Sequence, residues 1–388
     1  LLMVCTIISL ALANSAVSVH YLALWEIQVG GLTVKHWIND ALMAIYFLLI
    51  GLELERELNS GELSDFNNAL LPVIAAVGGM CLPAWIHFMF NSGTATQIGI
   101  GIPMATDIAF SLGILALLGR GIPASLKVFL AAVAVIDDLG AIIVIAVFYT
   151  ASLTLACIAG AILVFALMMV LNRFFGVMSL FPYLLGGGLM WFLMLKSGVH
   201  PTMAGVLLAF AIPYSAREDD AESPSHRLEH YLNRPVAFGV LPMFALANTG
   251  IVIGADWSQD LLSLNSAGII SGLFLGKPLG ITLFSAAAVA MGICRLPLDL
   301  TWRHILGAGL LCGVGFTMSI FITNLAFVGD AEMINAAKMS IVLASLMAGT
   351  AGILWLKVFS APGDQDTDTM EFQTVEISKQ KDPDKPPA

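Results

Sequence analysis

The chain has 388 residues, 58% of them hydrophobic and only 11% charged, with a formal net charge of −10. A soluble globular protein is roughly 45–50% apolar and about 25% charged, so this chain needs an outer surface that faces lipid. A cytosolic enzyme, a nucleic-acid binder and a disordered chain are excluded together.

A membrane span needs about 20 predominantly apolar residues. Apolar runs of this kind lie near 36–58, 70–90, 97–119, 125–149, 154–172, 179–196, 200–213, 234–253, 267–292, 304–327 and 335–358. The opening run from Leu1 to Ala13 is shorter, and it is expected to be the end of a truncated first helix. The expectation is an all-α polytopic membrane protein of twelve transmembrane helices, with a transmembrane domain over 1–360. Between the first two helices, Ile27-Gln28-Val29-Gly30-Gly31-Leu32-Thr33-Val34 predicts a small β-hairpin, because both turn positions of a two-residue loop need φ > 0. A lone hairpin is marginal in water and would gain by pairing with another chain. Residues 216–224 read as a solvated hinge loop. The tail over 361–388 is polar and proline-ended, and is expected to be disordered; from Asp364 it carries seven carboxylates against three lysines. The five scattered cysteines have no CxxC spacing and read as buried free thiols.

Lysine and arginine placement sets orientation. With both termini cytoplasmic, the cytoplasmic connections hold ten basic residues from Arg56 to Lys357, and the tail adds three lysines. The outer side holds only Lys35, Lys196 and Lys338.

Between Phe66 and Asn172 the only charges are Asp107, Arg120, Lys127, Asp137 and Asp138. The three aspartates fall mid-span, where a charge is costly and marks an ion or proton pathway. Asp137 and Asp138 point about 100° apart on a helix, so one can face a partner while the other faces a cavity. Two close carboxylates in a low-dielectric site repel each other, and bound protons or a desolvated cation relieve that repulsion. Lys277, in Gly276-Lys277-Pro278, is the deep base expected to pair with one of the two. Asp40 is also deep, whereas Glu53 and Glu57 lie closer to a cytoplasmic end.

Two spans carry interruptions. One is Gly99-Ile100-Gly101-Ile102-Pro103-Met104-Ala105-Thr106-Asp107, the other Cys312-Gly313-Val314-Gly315-Phe316-Thr317-Met318-Ser319. Such backbone survives at membrane depth only where protein or a water-filled cavity satisfies it. Counted as the fourth and eleventh spans, they are the middle members of two three-helix units, the pattern that points to a transporter site. Breaking two helices exposes four half-helix ends of roughly half a unit charge each; Asp107 could offset positive ends and Lys277 negative ones. His200 and the Glu229-His230 pair are candidates for tuning activity with pH, since imidazole titrates in the physiological range.

These strings, together with Trp37-Ile38-Asn39-Asp40-Ala41, Leu195-Lys196-Ser197-Gly198-Val199-His200 and Gly276-Lys277-Pro278-Leu279-Gly280, resemble the NhaA-type Na+/H+ antiporters of bacterial inner membranes. The resemblance covers residues 1–358, and the family is itself a type example of inverted-repeat architecture. It implies inverted three-helix repeats whose fourth and eleventh helices are unwound and crossed, at Gly101 and Pro103 and at Gly313 and Gly315. It implies Na+ or Li+ and protons bound at Asp137 and Asp138 with Thr106 nearby, Lys277 paired with Asp137, and Asp107 balancing the helix ends. It further implies electrogenic exchange of sodium for a larger number of protons, activation at alkaline pH involving Glu53, Glu57, His200, Glu229 and His230, and a homodimer through the 27–34 hairpin. The chain departs from the family pattern at Asn233, where a second histidine is expected near Glu229-His230, and in its acidic tail.

The chemistry expected from the residues is competition. Protonated Asp137 and Asp138 cannot coordinate a cation, whereas deprotonated they supply hard oxygen ligands. The chain is therefore read as a transporter and not an enzyme, with no cofactor and with the lipid bilayer as its surroundings. Three rivals fit less well. A Na+-coupled symporter of related fold would share broken helices, but paired aspartates suit exchange better. An intramembrane aspartyl protease would leave Lys277 without a role, and a channel would need a ring of equivalent ligands.

Overall fold

The computed structural model describes residues 1–61, 63–119, 122–150, 153–214, 223–254 and 257–359. The tail over 361–388, most of the 216–224 loop, Arg120 and Arg217 lie outside the described residues. Seven described helices are long and apolar enough to cross a membrane: Val34–Asn59, Asn68–Asn91, Ala124–Phe148, Leu155–Arg173, Leu180–Ser197, Leu264–Ala290 and Ala331–Phe359. Three more pairs reach that length only together. Leu2–Ala13 and Ser18–Trp25 bend by 119°, Ala95–Met104 and Ile108–Leu117 by 40°, and Trp302–Cys312 and Phe316–Ala326 by 46°. Length and composition thus give seven to ten spans among the described residues. The predicted run near 200–213 is the nine-residue helix Met203–Ala211, and the run near 234–253 falls largely in helical residues 224–248; neither meets the same test.

Helices of equal hydropathy differ widely in burial. Leu155–Arg173 has only 11% of its apolar window buried, and Leu155, Ile162, Leu163 and Leu167 point outward, as lipid-facing side chains do. Ala124–Phe148 and Val34–Asn59 are each 61% buried. The larger apolar core gathers around Ala124–Phe148 and the two pairs broken at mid-span, the first Ala95–Met104 with Ile108–Leu117 and the second Trp302–Cys312 with Phe316–Ala326. A second, smaller core joins Leu48, Met168, Tyr183, Met190 and Leu208.

The hairpin is present: Gln28 pairs with Thr33 and Val29 with Leu32. Gly30 and Gly31 sit at φ 63° and 86°, the left-handed region that a side chain resists. Of the five thiols, Cys5, Cys294 and Cys312 are buried, Cys157 is half-buried and Cys81 is exposed. The expectation that all are buried fails at Cys81, where the apolar run faces outward, and is met only in part at Cys157.

Proline also shapes the helices. Val236–Val240 and Gly272–Gly276 are π turns, each followed by an α-helix with proline in its first turn, Pro242 and Pro278. Proline has no N–H to donate to the carbonyl four residues back, so the preceding turn widens. The second of these turns sets the position of Lys277.

Helix Phe66–Asn91 packs closely on Lys277–Ala290. A Cβ added at Gly280 would lie 2.7 Å from the carbonyl carbon of Gly78, and one at Gly79 would lie 4.0 Å from Lys277 Cε. Backbone contact therefore holds the helix that carries the lysine. Overpacking of this kind typically costs about 1–3 kcal/mol. Gly280→Val is expected to lower the melting temperature of the detergent-purified protein by several degrees, and an unchanged melting curve would contradict the packing described here.

Candidate ion site

The first broken pair winds as a 3₁₀ helix over Ala95–Met104, runs extended through Ala105 to Asp107 and resumes as Ile108–Leu117. Ten residues is long for 3₁₀ winding; the Gly and Pro content of the segment makes the α-helical alternative poor. The second pair breaks at Gly313–Gly315 between two α-helical halves. Gly313 and Gly315 have φ of −64° and −91°, so neither needs glycine for its backbone angle. They are required by contact. A Cβ at Gly313 would lie 2.5 Å from the Leu273 carbonyl oxygen, and one at Gly315 would lie 3.0 Å from that of Ala105. Gly101 is close in the same way, 2.9 Å from Tyr149 Oη, and Pro103 packs under Gly272.

The two breaks meet, and side chains complete their backbone. Asp107 N–H donates to the Val314 carbonyl at 2.7 Å. The Asp107 carboxylate caps its own half-helix, accepting from Phe110 N–H at 3.0 Å. It also reaches the other pair, accepting from Thr317 N–H at 3.0 Å and from the Thr317 hydroxyl at 2.6 Å. One unit of negative charge thus faces two helix N-termini of roughly +0.5 each. The carbonyl ends are met by donors. Ser111 Oγ donates to the Leu311 carbonyl at 2.8 Å and Ser319 Oγ to that of Ile102 at 2.7 Å. Lys277 Nζ donates to the Met104 carbonyl at 2.5 Å.

Around this junction Lys277, Asp137 and Asp138 are each 0% exposed. Lys277 Nζ lies 2.7 Å from Asp137 Oδ2 and 2.5 Å from Thr106 Oγ1, so all three ammonium protons have acceptors. Thr106 Oγ1 is 2.6 Å from Asp137 Oδ2 and 3.1 Å from the Cys312 carbonyl; with one proton it donates to one of them. Asp138 is different. Its Oδ2 has a single neighbour, the Tyr46 hydroxyl at 3.4 Å, and its Oδ1 has none among the described residues. Asp137 Oδ1 also has no hydrogen-bond partner among the described residues. Two buried carboxylates therefore keep free acceptor capacity that a hard cation or a proton can take up.

The remaining candidates lie at two other places. A cavity of about 650 Å³ is lined by Glu53, Arg56, Glu57 and Lys127, and ends at Ile108 and Val135. Val135 is three residues before Asp138 and shares its helix face, so this cavity approaches the buried site to within one helical turn. Arg56 pairs with Glu229 at 3.0 Å and with Glu57 at 3.4 Å. Burial pushes the Glu229 carboxyl above the usual range, and Arg56 partly opposes this. His230 is exposed beside it. His200 is elsewhere: its Nε2 lies 3.6 Å from Asp40 Oδ1, with His36 3.7 Å from Asp40 Oδ2. Asp40 and Glu57 stand roughly 25 Å apart along one helix, so the pH-sensing candidates divide between its two ends. Sequence reading missed Tyr46, which in an apolar run looks like a packing residue.

Comparison with known proteins follows this geometry. The family model described as Na+/H+ antiporter 1 matches residues 1–356. A "Na(+)/H(+) antiporter NhaA" of Dechloromonas aromatica is 65% identical over 94% of this chain and 94% of its own length. One of Cytophaga hutchinsonii is 57% identical over 92% and 91%, and one of Mesorhizobium japonicum 45% identical over 95% and 94%. With buried paired aspartates facing a buried lysine at the meeting point of two broken helices, and matches of this extent, the chain belongs to the NhaA family of Na+/H+ antiporters.

Proposed function

We propose that the chain exchanges cytoplasmic Na+ or Li+ for external H+ by alternating access, with Asp137 and Asp138 as the shared proton and cation site. The observation that carries this reading is the pair of oxygens without a hydrogen-bond partner among the described residues, Asp137 Oδ1 and Asp138 Oδ1, buried beside a fully engaged Lys277. A cation taking these oxygens competes with the protons that neutralise them, and with Lys277 for Asp137. Removing one partner of a buried ion pair typically costs roughly 3–5 kcal/mol, so Lys277 needs another counter-charge or must lose its own when the cation arrives. Either load lets the site switch sides; an unloaded, doubly negative site stays put unless Lys277 compensates it. Release of two protons for one sodium makes the exchange electrogenic, and an inward proton gradient then drives sodium out, serving sodium and pH homeostasis.

The architecture that goes with this function has twelve transmembrane helices in inverted three-helix repeats, the two broken ones crossing at mid-membrane. Basic residues favour both termini on the cytoplasmic side of a bacterial inner membrane. Residues 1–360 would be the transporting domain, 361–388 a cytoplasmic tail, and the 27–34 hairpin the contact of a homodimer. Thr106 hydrogen-bonds to the site, Asp107 steadies the helix ends, and alkaline activation begins with Glu53, Glu57, Glu229 and His230 at one end and His200 at the other.

In everted membrane vesicles holding a preset pH gradient, sodium and lithium are expected to collapse the gradient. Asp138→Asn should abolish that response, with the protein still present in the membrane. A full sodium response in Asp138→Asn would refute the assignment of the site. Clamping the membrane voltage should alter the rate; indifference to voltage would rule out net charge movement.

The pH dependence has a sign. A raised Glu229 carboxyl gains its negative charge at higher pH than an ordinary glutamate, and only then holds Arg56 as an ion pair. Glu229→Gln removes that step, so its activity profile should no longer show the wild-type alkaline onset. A pH profile superimposable on wild type would remove Glu229 from pH sensing.

A further inference from the structure

Among the described residues Tyr46 is the hydrogen-bonding neighbour of Asp138, and the exchange reading gives it no role. It stands on Met43–Asn59, directly after the π turn Ile38–Leu42, and is 5% exposed. Its ring packs edge-on against Phe47 at 5.5 Å, and Phe47 packs on Phe321 of the second broken pair at 5.7 Å. Asp138 Oδ2, 3.4 Å away, is its hydrogen-bonding neighbour.

That distance is informative. A buried phenol ordinarily closes on its acceptor to about 2.7–2.8 Å, so at 3.4 Å this hydrogen bond is a long one. The same spacing also suits a second relation. Two oxygens at right angles around a hard cation, each bonded at roughly 2.4 Å, stand about 3.4 Å apart. Asp138 Oδ1 and Asp137 Oδ1, both buried without hydrogen bonds among the described residues, are further oxygens of the same neighbourhood.

We propose that the Tyr46 hydroxyl oxygen is a direct ligand of the transported cation, adjacent to Asp138 Oδ2 in its coordination shell. This rests on the reading of Asp138 as the cation site. With no cation bound, the hydroxyl hydrogen points at Asp138; with one bound, it turns away and a lone pair faces the ion. A neutral oxygen strengthens the cation-loaded state without adding to the charge that protons compete for. Tyr46 thereby favours sodium or lithium over a bare exchange of protons.

Tyr46→Phe keeps the ring and removes only the oxygen. In proteoliposomes at about pH 8.5, where protons compete least, the apparent KM for Na+ and for Li+ should rise about tenfold. The melting temperature should stay near wild type. An unchanged KM at that pH overturns the proposal, including the case in which only the pH of half-activation moves, since the hydroxyl would then serve Asp138 as a donor alone. If the variant does not transport, lithium calorimetry on the purified protein decides: about tenfold weaker binding supports a ligand, and wild-type binding excludes one. A wild-type protein without any cation response would overturn the exchange reading itself, which a normal wild type beside an unaffected Tyr46→Phe would not.

Discussion

Unpaired backbone cannot be left in lipid, and the whole centre of this protein follows from satisfying two broken helices there. The Asp107 carboxylate closes two helix N-termini at once, while Ser111, Ser319 and Lys277 supply donors to the exposed carbonyls. The junction is therefore built largely from side chains, and it can hold charge at a depth where an ordinary helix could not. Asp137 and Asp138 sit against that junction on a continuous helix, Ala124–Phe148, so the rigid element carries the acids and the broken ones supply the polar surroundings.

Lys277 links scaffold and chemistry. The same ammonium that caps the Met104 carbonyl holds Asp137, and its helix is pressed onto a neighbour through Gly78 and Gly280. Any cation that takes Asp137 from Lys277 also disturbs the end of the first broken half-helix. In the proposed exchange, loading and rearrangement of the backbone would thus be joined through one residue. The asymmetry between the acids matters equally: Asp137 is engaged by Lys277 and Thr106, whereas among the described residues Asp138 has only the distant Tyr46 hydroxyl.

Much of this was legible in the sequence, for definite reasons. Long apolar runs mark helices because the bilayer imposes a length, and the Gly-Gly of the hairpin marks a turn because the backbone needs it. The breaks were readable from Gly101, Pro103, Gly313 and Gly315. Their physical role was not, since these glycines serve close contact at ordinary backbone angles. The choice of Asp137 by Lys277, left open by the residues and implied only by the family resemblance, depends on helix rotation, which one-dimensional spacing does not record. The sharing of Asp107 between two helices and the 3₁₀ winding of Ala95–Met104 depend on tertiary contact in the same way. Tyr46 had no signal, because a tyrosine within Ala44-Ile45-Tyr46-Phe47-Leu48 looks like core.

Competition between protons and cation for the same carboxylates is the central claim, and initial-rate kinetics in proteoliposomes tests it most directly. The apparent KM for Na+ would be measured from about pH 6.5 to about pH 8.5, with the maximal rate determined at each pH. Competition predicts that KM falls steeply as protons are withdrawn, while the maximal rate at saturating sodium changes little. A KM independent of pH, with all pH dependence in the maximal rate, would mean that protons and sodium do not share Asp137 and Asp138.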